Sequence, residues 1–180
     1  MRSTASMRPR QASCVGVGVT GGNLTVRVRR AMKIREVMTE TVVSAAADAT
    51  VRRVAEIMRE RNVGSVVLLD DEGAALGLIT DRDLAVSVLA DGHGGDAAAA
   101  DHASSPVVTA APEMDVEEAT ELMVGHGIRR LPVVDGDRLT GIVTLDDLAA
   151  RIGDPALAAN ITAQVTRAAL PTFYFHDRGG

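Results

Sequence analysis

One eight-residue pattern occurs twice in this chain and constrains its fold more than any other feature. Residues 77–84 read Gly-Leu-Ile-Thr-Asp-Arg-Asp-Leu, and residues 141–148 read Gly-Ile-Val-Thr-Leu-Asp-Asp-Leu. Upstream of each, a Val-Val-Ser or Val-Val-Thr run (residues 42–44 and 107–109) matches at an offset of 65 residues. Because the matching segments follow one another in the same order, the chain is predicted to contain two copies of one structural unit.

Each copy predicts the same order of secondary structure. Apolar residues at 51, 54, 55 and 58, and at 116, 119 and 123, have the spacing of one helical face. In the second copy, Asp115 and Glu118 resemble a capping box. Short aliphatic runs predict strands at 65–70, 75–80, 131–135 and 139–144, and a last helix closes each copy at 83–90 and 146–152. The fold class is therefore α+β, with the order β-α-β-β-α occurring twice.

The repeats divide the chain into five segments. These are an N-terminal arm at 1–31, repeat 1 at 32–90, a linker at 91–100, repeat 2 at 101–152 and a C-terminal tail at 153–180. The arm is expected to be disordered or non-native, because ordinary domain sequence begins at Met32. Residues 16–21 match Gly-x-Gly-x-x-Gly, but β-prone residues follow where a dinucleotide site needs a helix.

Composition excludes several classes of function. The arm holds six arginines and no acid, which leaves 13 basic against 24 acidic residues elsewhere, so direct nucleic-acid binding is not expected. A single cysteine, Cys14, rules out an internal disulfide and suits the cytoplasm. No apolar run is long enough to span a membrane.

The residues that could hold a metal or catalyse a reaction lack the necessary arrangement. His93, His102 and His126 lack metal-site spacing, and no catalytic set is recognisable, so neither a metal site nor an enzyme is predicted.

Each copy of the pattern places a hydroxyl at a strand end and a carboxylate three residues later. We call Thr80 with Asp83 the first Thr–Asp pair, and Thr144 with Asp147 the second. A carboxylate only accepts hydrogen bonds and suits ribose hydroxyls, whereas the threonine hydroxyl and free helix N–H groups suit phosphate. The alternative is that each aspartate only caps its helix and each threonine only ends its strand.

These motifs resemble the cystathionine-beta-synthase (CBS) domain over about residues 32–152. The resemblance rests on the Val-Met-Thr of residues 37–39, the Val-x-x-Ala-x-x-Met helix, the Leu-Pro-Val-Val-Asp of residues 131–135, and the two Gly-x-x-Thr-x-x-Asp endings. The alanine of that helix falls one place later in the first copy. The resemblance implies tandem repeats packed about a pseudo-two-fold axis, in a stand-alone Bateman module with two clefts.

The resemblance also implies a function. The chain is expected to be a non-enzymatic regulatory sensor that requires no cofactor, binds AMP, ATP or S-adenosylmethionine, forms a homodimer and acts on an unidentified protein target. The alternative is a stress-associated structural or protein-interaction module without nucleotide. The expected ligand-binding residues are Thr80, Asp83, Arg82, Thr144, Asp147, Ser44, Thr109 and Arg130. Because Arg82 is replaced by Asp146 in the second copy, the first copy is expected to suit a phosphorylated ligand better.

The C-terminal tail contains every aromatic ring of the chain apart from its histidines. Phe173, Tyr174 and Phe175 follow one another near the end of the sequence, and there is no tryptophan. Two interpretations remain open: a free terminus, or an anchor that packs on the aliphatic module or on a partner.

Overall fold

The computed structural model describes residues 15–17, 26–28 and 31–170. The chain forms two units, Met1–Met32 and Lys33–Gly180. In the first unit, β1 (Val15–Val17) pairs with β2 (Val26–Val28) as an antiparallel ribbon. The expectation that residues 1–31 are disordered or non-native stays a prediction. The aromatic residues at 173–175 lie outside the described residues.

Repeat 1 has all five expected elements. A 3-10 helix, Ile34–Glu36, precedes them. The elements are β3 (Ser44–Ala46), α1 (Val51–Arg61), β4 (Ser65–Leu69), β5 (Ala75–Thr80) and α2 (Asp81–Asp83), which continues as a π-helical segment, Leu84–Leu89. β3 pairs parallel with β4, and β4 pairs antiparallel with β5. One face of this sheet packs on α1 in an aliphatic core that includes Val54, Val66 and Ile79.

Repeat 2 follows the same order with one difference. A second 3-10 helix, Ala99–His102, precedes its elements, which are α3 (Val116–His126), β6 (Arg130–Asp135), β7 (Arg138–Thr144) and α4 (Leu145–Arg151). The expected first strand is reduced to one parallel bridge, Ala110 to Val133. In repeat 1 the backbone N–H of Ala47 donates to the carbonyl of Leu69. Pro112 occupies the equivalent position and has no N–H to donate, so the ladder stops there.

The segment that precedes the first strand of each repeat, residues 33–39 and 98–104, is called here its leading segment. Each leading segment pairs with the other repeat, and this reciprocal exchange gives the fold its pseudo-two-fold symmetry. Each leading segment bonds to the last strand of the other repeat through two backbone hydrogen bonds, for example from the N–H of Thr39 to the carbonyl of Ile142 at 2.8 Å. Four antiparallel bridges form two equivalent pairs: Thr39–Ile142 with Ser104–Leu78, and Lys33–Asp115 with Ala98–Thr50. The expected packing of two repeats about a pseudo-two-fold axis is therefore confirmed.

The start of α3 differs from the expected capping box. Asp115 is the N-cap residue, but its side chain accepts no capping hydrogen bond from the helix. Instead its Oδ1 atom lies 2.8 Å from Nζ of Lys33, in the leading segment of the other repeat. Its carboxylate therefore connects the repeats, and Glu118 is exposed.

A final helix, α5 (Pro155–Ala169), covers only one of the two repeats. Ala158, Ile161 and Val165 are buried where α5 packs against α3 and α4. Gly127 ends α3 with a φ of +63°, and a β-carbon there would lie 3.2 Å from the carbonyl oxygen of Ala168, so glycine allows the close approach of α5. Among the described residues, no helix combines the length and apolar character needed to cross a membrane.

Candidate functional site

The first Thr–Asp pair forms a closed capping box at the start of α2. The Oδ2 atom of Asp83 accepts hydrogen bonds from the backbone N–H of Thr80 at 2.8 Å and from its hydroxyl at 2.7 Å. The N–H of Asp83 donates back to the threonine hydroxyl oxygen at 3.2 Å. Both side chains are half-buried. The described residues provide no hydrogen-bond partner for Oδ1 of Asp83.

The second Thr–Asp pair has the same geometry at the start of α4. Oδ2 of Asp147 accepts from the N–H of Thr144 at 3.0 Å and from its hydroxyl at 2.6 Å. The N–H of Asp147 donates to the hydroxyl oxygen of Thr144 at 3.1 Å. Each threonine keeps the extended backbone of its strand, with φ near −115° and ψ near 164°, and each aspartate lies in the first helical turn, where negative charge is favoured.

The other carboxylate oxygen distinguishes the two pairs. Oδ1 of Asp147 accepts from the hydroxyl of Thr39 at 3.1 Å and lies 3.4 Å from Nη2 of Arg151. Arg151 in turn donates to the carbonyl oxygens of Val37 and Met38 at 3.0 and 2.6 Å. The second pair thus holds the leading segment of repeat 1 against repeat 2. Asp147 is committed to structure, whereas Asp83 keeps one oxygen available.

Two arginines lie near the first Thr–Asp pair, one from each repeat. Arg82 is exposed and forms no ion pair with the described residues. A β-carbon on Gly64 would lie 3.7 Å from Nη2 of Arg130 and 3.2 Å from Oδ2 of Asp81, the first residue of α2. The guanidinium of Arg130 therefore lies close to Gly64 of repeat 1. In the β6–β7 ladder the backbone of Arg130 is paired with Thr144, so Arg130 also lies beside the second Thr–Asp pair.

Ser44 lines a cleft of about 540 Å³ between β3 and the turn that joins β6 to β7. Glu40, which follows Thr39 in the sequence, also lines the cleft. Its charged residues are Glu40, Glu72, Asp135, Asp137 and Arg138. With four acids against one base, this cleft has a potential that disfavours phosphate.

Thr109 is half-buried and directly precedes the Ala110 bridge. The structure gives it no side-chain contact with either Thr–Asp pair. Val66, on β4, is fully buried in the core of repeat 1. Of the expected set of eight, seven therefore divide between the first pair with its arginines, the second pair, and the Ser44 cleft, and Thr109 lies apart from all three.

Sequence reasoning missed the pairing of two histidines. The rings of His93 and His102 lie 4.9 Å apart, although the two residues are nine positions apart in the sequence, and Nδ1 of His102 is 2.8 Å from the hydroxyl oxygen of Ser87. The turn after the π-helical segment brings them together, which spacing alone does not reveal. Among the described residues, no group of three or more His, Cys, Asp or Glu side chains is placed to hold a metal.

The family model of the CBS domain matches residues 34–90 and 99–154. The chain belongs to the CBS domain family. It is 38% identical over 140 residues to an uncharacterised protein of Methanopyrus kandleri, which covers 77% of this chain and 70% of that protein.

Two solved structures show the same CBS fold. A CBS domain protein of Pyrobaculum aerophilum complexed with AMP superposes with a TM-score of 0.64 at 25% identity, covering 73% of this chain and 99% of that one. Hypoxic response protein I with two coordinated zinc ions superposes with a TM-score of 0.62 at 30% identity, covering 67% of this chain and 99% of that one.

Proposed function

We propose that this CBS protein is a regulatory module, not a catalyst, that binds an adenosine-containing ligand at the first Thr–Asp pair. The observation that carries the proposal is the uncommitted Oδ1 atom of Asp83, beside a helix start and two arginines. The AMP complex of the Pyrobaculum relative supports the ligand class. We further propose that the module is cytoplasmic, requires no cofactor and passes ligand binding to an unidentified protein target.

The charges around the two pairs favour a phosphorylated ligand at the first. Arg82 and Arg130 supply two cations there. Oδ1 of Asp83 can accept from ribose hydroxyls, and the hydroxyl of Thr80 can turn from Asp83 to a phosphate oxygen. At the second pair a ligand would have to displace Thr39 and Arg151 from Asp147, and the Ser44 cleft repels phosphate. Thr144, Asp147 and Thr109 are therefore proposed as secondary ligand contacts.

A thermal-shift titration tests the proposal. AMP at 100 times its dissociation constant is expected to stabilise the folded state by about 2.7 kcal/mol, which raises the melting temperature by about 5 °C or more. ATP and S-adenosylmethionine are titrated in parallel, and ribose 5-phosphate serves as the control that lacks adenine. Absence of a shift with every adenosine compound would contradict the proposal and favour the structural or stress-associated alternative.

We also propose a homodimer through the helical face of repeat 1. In repeat 2 the face of α3 and α4 is covered by α5, but no described helix covers the equivalent face of repeat 1. Val86 and Leu89 lie three residues apart on the π-helical segment of repeat 1 and are 52% and 74% exposed. Large hydrophobic side chains left exposed side by side favour association with a second copy of the same face.

The dimer proposal predicts that Leu89→Glu shifts the protein from dimer to monomer in sedimentation velocity, because two carboxylates would be buried at the symmetric contact. Leu76→Glu is the matched control, since Leu76 is also a large exposed hydrophobic residue, at 45%, but lies on β5. It is expected to leave the dimer intact. A monomeric wild-type protein, or a Leu89→Glu variant that remains dimeric, would contradict this interface.

A further inference from the structure

An apolar groove of about 590 Å³ runs along the outer side of α5, next to α4. The side chains that form it include Ala149, Ala159, Ala163, Thr166, Arg167 and Leu170. Thr162 also lines the groove, but its hydroxyl donates to the carbonyl of Ala158 at 2.8 Å and is therefore already satisfied. Apart from Thr166 and Arg167 the remaining lining is alanine and leucine, so the chemistry of the groove fits a mainly apolar occupant.

The groove ends where the aromatic segment of the chain begins. Leu170 lines the groove and has an extended backbone, with φ −76° and ψ 137°, so the helix stops there. Pro171 follows and favours an extended Leu170. Phe173 is three residues away, a span of at most about 10 Å. The groove runs from Ala158 to the C-cap residue Leu170, which is 12 steps of helix or about 18 Å, a distance that a ten-residue tail can retrace.

We propose that the aromatic segment, residues 173–175, docks into the α5 groove of its own chain. In an extended segment Phe173 and Phe175 lie on the same side and Tyr174 on the other. Each phenylalanine can bury about 150–250 Å² of surface, and two such rings would cover the alanine-lined wall of the groove. Arg167 at the rim provides a cation for the face of an aromatic ring. The docked tail fastens α5 onto repeat 2.

Tyr174 reports on the docking without any label, because it is the only tyrosine and the chain has no tryptophan. Time-resolved anisotropy of tyrosine emission in the full-length protein is expected to decay at the tumbling rate of the whole molecule. Ala163→Glu, which puts a charge into the groove at an exposed position, is expected to release the tail and add a fast decay component. Gln164→Glu is the control, since Gln164 is exposed on α5 but does not line the groove.

The outcomes separate docking within the chain from its rivals. Slow decay that persists on dilution to monomer supports the proposal, and deletion of residues 171–180 should then lower the melting temperature by about 4 °C or more. Fast decay in the wild-type protein would overturn it in favour of a free terminus. Slow decay that disappears on dilution would also overturn it, because a second copy would then supply the aromatic segment.

Discussion

Asp83→Ala is expected to weaken AMP binding by about tenfold to a hundredfold, measured by titration calorimetry. Hydrogen bonds to a charged group contribute about 1.5–3 kcal/mol, and 1.4 kcal/mol corresponds to a factor of ten in the dissociation constant. The Oδ2 atom of Asp83 accepts hydrogen bonds from Thr80, whereas its Oδ1 atom can accept hydrogen bonds from the hydroxyls of a ribose. Loss of the capping bonds should cost about 1 kcal/mol of folding stability, so the variant stays folded during the titration.

The comparison with the second pair makes this prediction specific. Asp147→Ala is expected to change AMP affinity much less, because both oxygens of Asp147 already have partners within the protein. Asp83→Asn serves as a further control, since its amide oxygen can still accept from the N–H of Thr80 while the negative charge is removed. Equal losses of affinity for the two alanine variants would contradict the proposed inequality of the pairs. An unchanged affinity for Asp83→Ala would exclude its role in binding.

The local elements of the fold could be predicted because each rests on a short-range pattern. The strand ends at Thr80 and Thr144 and the carboxylates in the following turns are visible in the sequence, since a capping box spans only four residues. The shortened first strand of repeat 2 also has a local cause in Pro112, although the repeat alignment concealed it. What periodicity did not reveal was the exchange of leading segments, in which Thr39 pairs with Ile142.

The candidate site was less predictable, because its differences arise from contacts between distant residues. Thr39 is 108 positions from Asp147, so no sequence spacing indicated that this carboxylate is committed to structure. Arg130 is paired with Thr144 in its own repeat, but only the packing of the two repeats reveals that its guanidinium lies near Gly64 of the other. The asymmetry that Arg82 suggested remains a prediction, and the geometry adds a second reason for it in the different partners of Asp83 and Asp147.

Asp147→Ala is expected to have the larger effect on folding, lowering the free energy of unfolding by about 2–4 kcal/mol and the melting temperature by about 5–10 °C. The variant loses the α4 capping box and also the contacts of Oδ1 with Thr39 and Arg151. Because the side chain of Asp147 is only 14% exposed, water cannot readily replace these bonds. Chemical denaturation monitored by circular dichroism measures the loss, with Asp83→Ala as the matched variant in repeat 1.

A double-mutant cycle isolates the contribution that holds the two repeats together. Thr39→Val removes the hydroxyl that donates to Oδ1 of Asp147 and keeps the shape of the side chain. Combined with Asp147→Ala, it should show a coupling energy of about 1.5–3 kcal/mol, because either single variant already loses the hydrogen bond to the charged group. Ser104→Ala with Asp83→Ala is the equivalent cycle in repeat 1 and should show no coupling, because the structure places no hydrogen bond between Ser104 and Asp83. A coupling energy of equal size in both cycles would mean that both Thr–Asp pairs hold the two repeats together. That result would contradict the claim that only Asp147 is committed to this structural role.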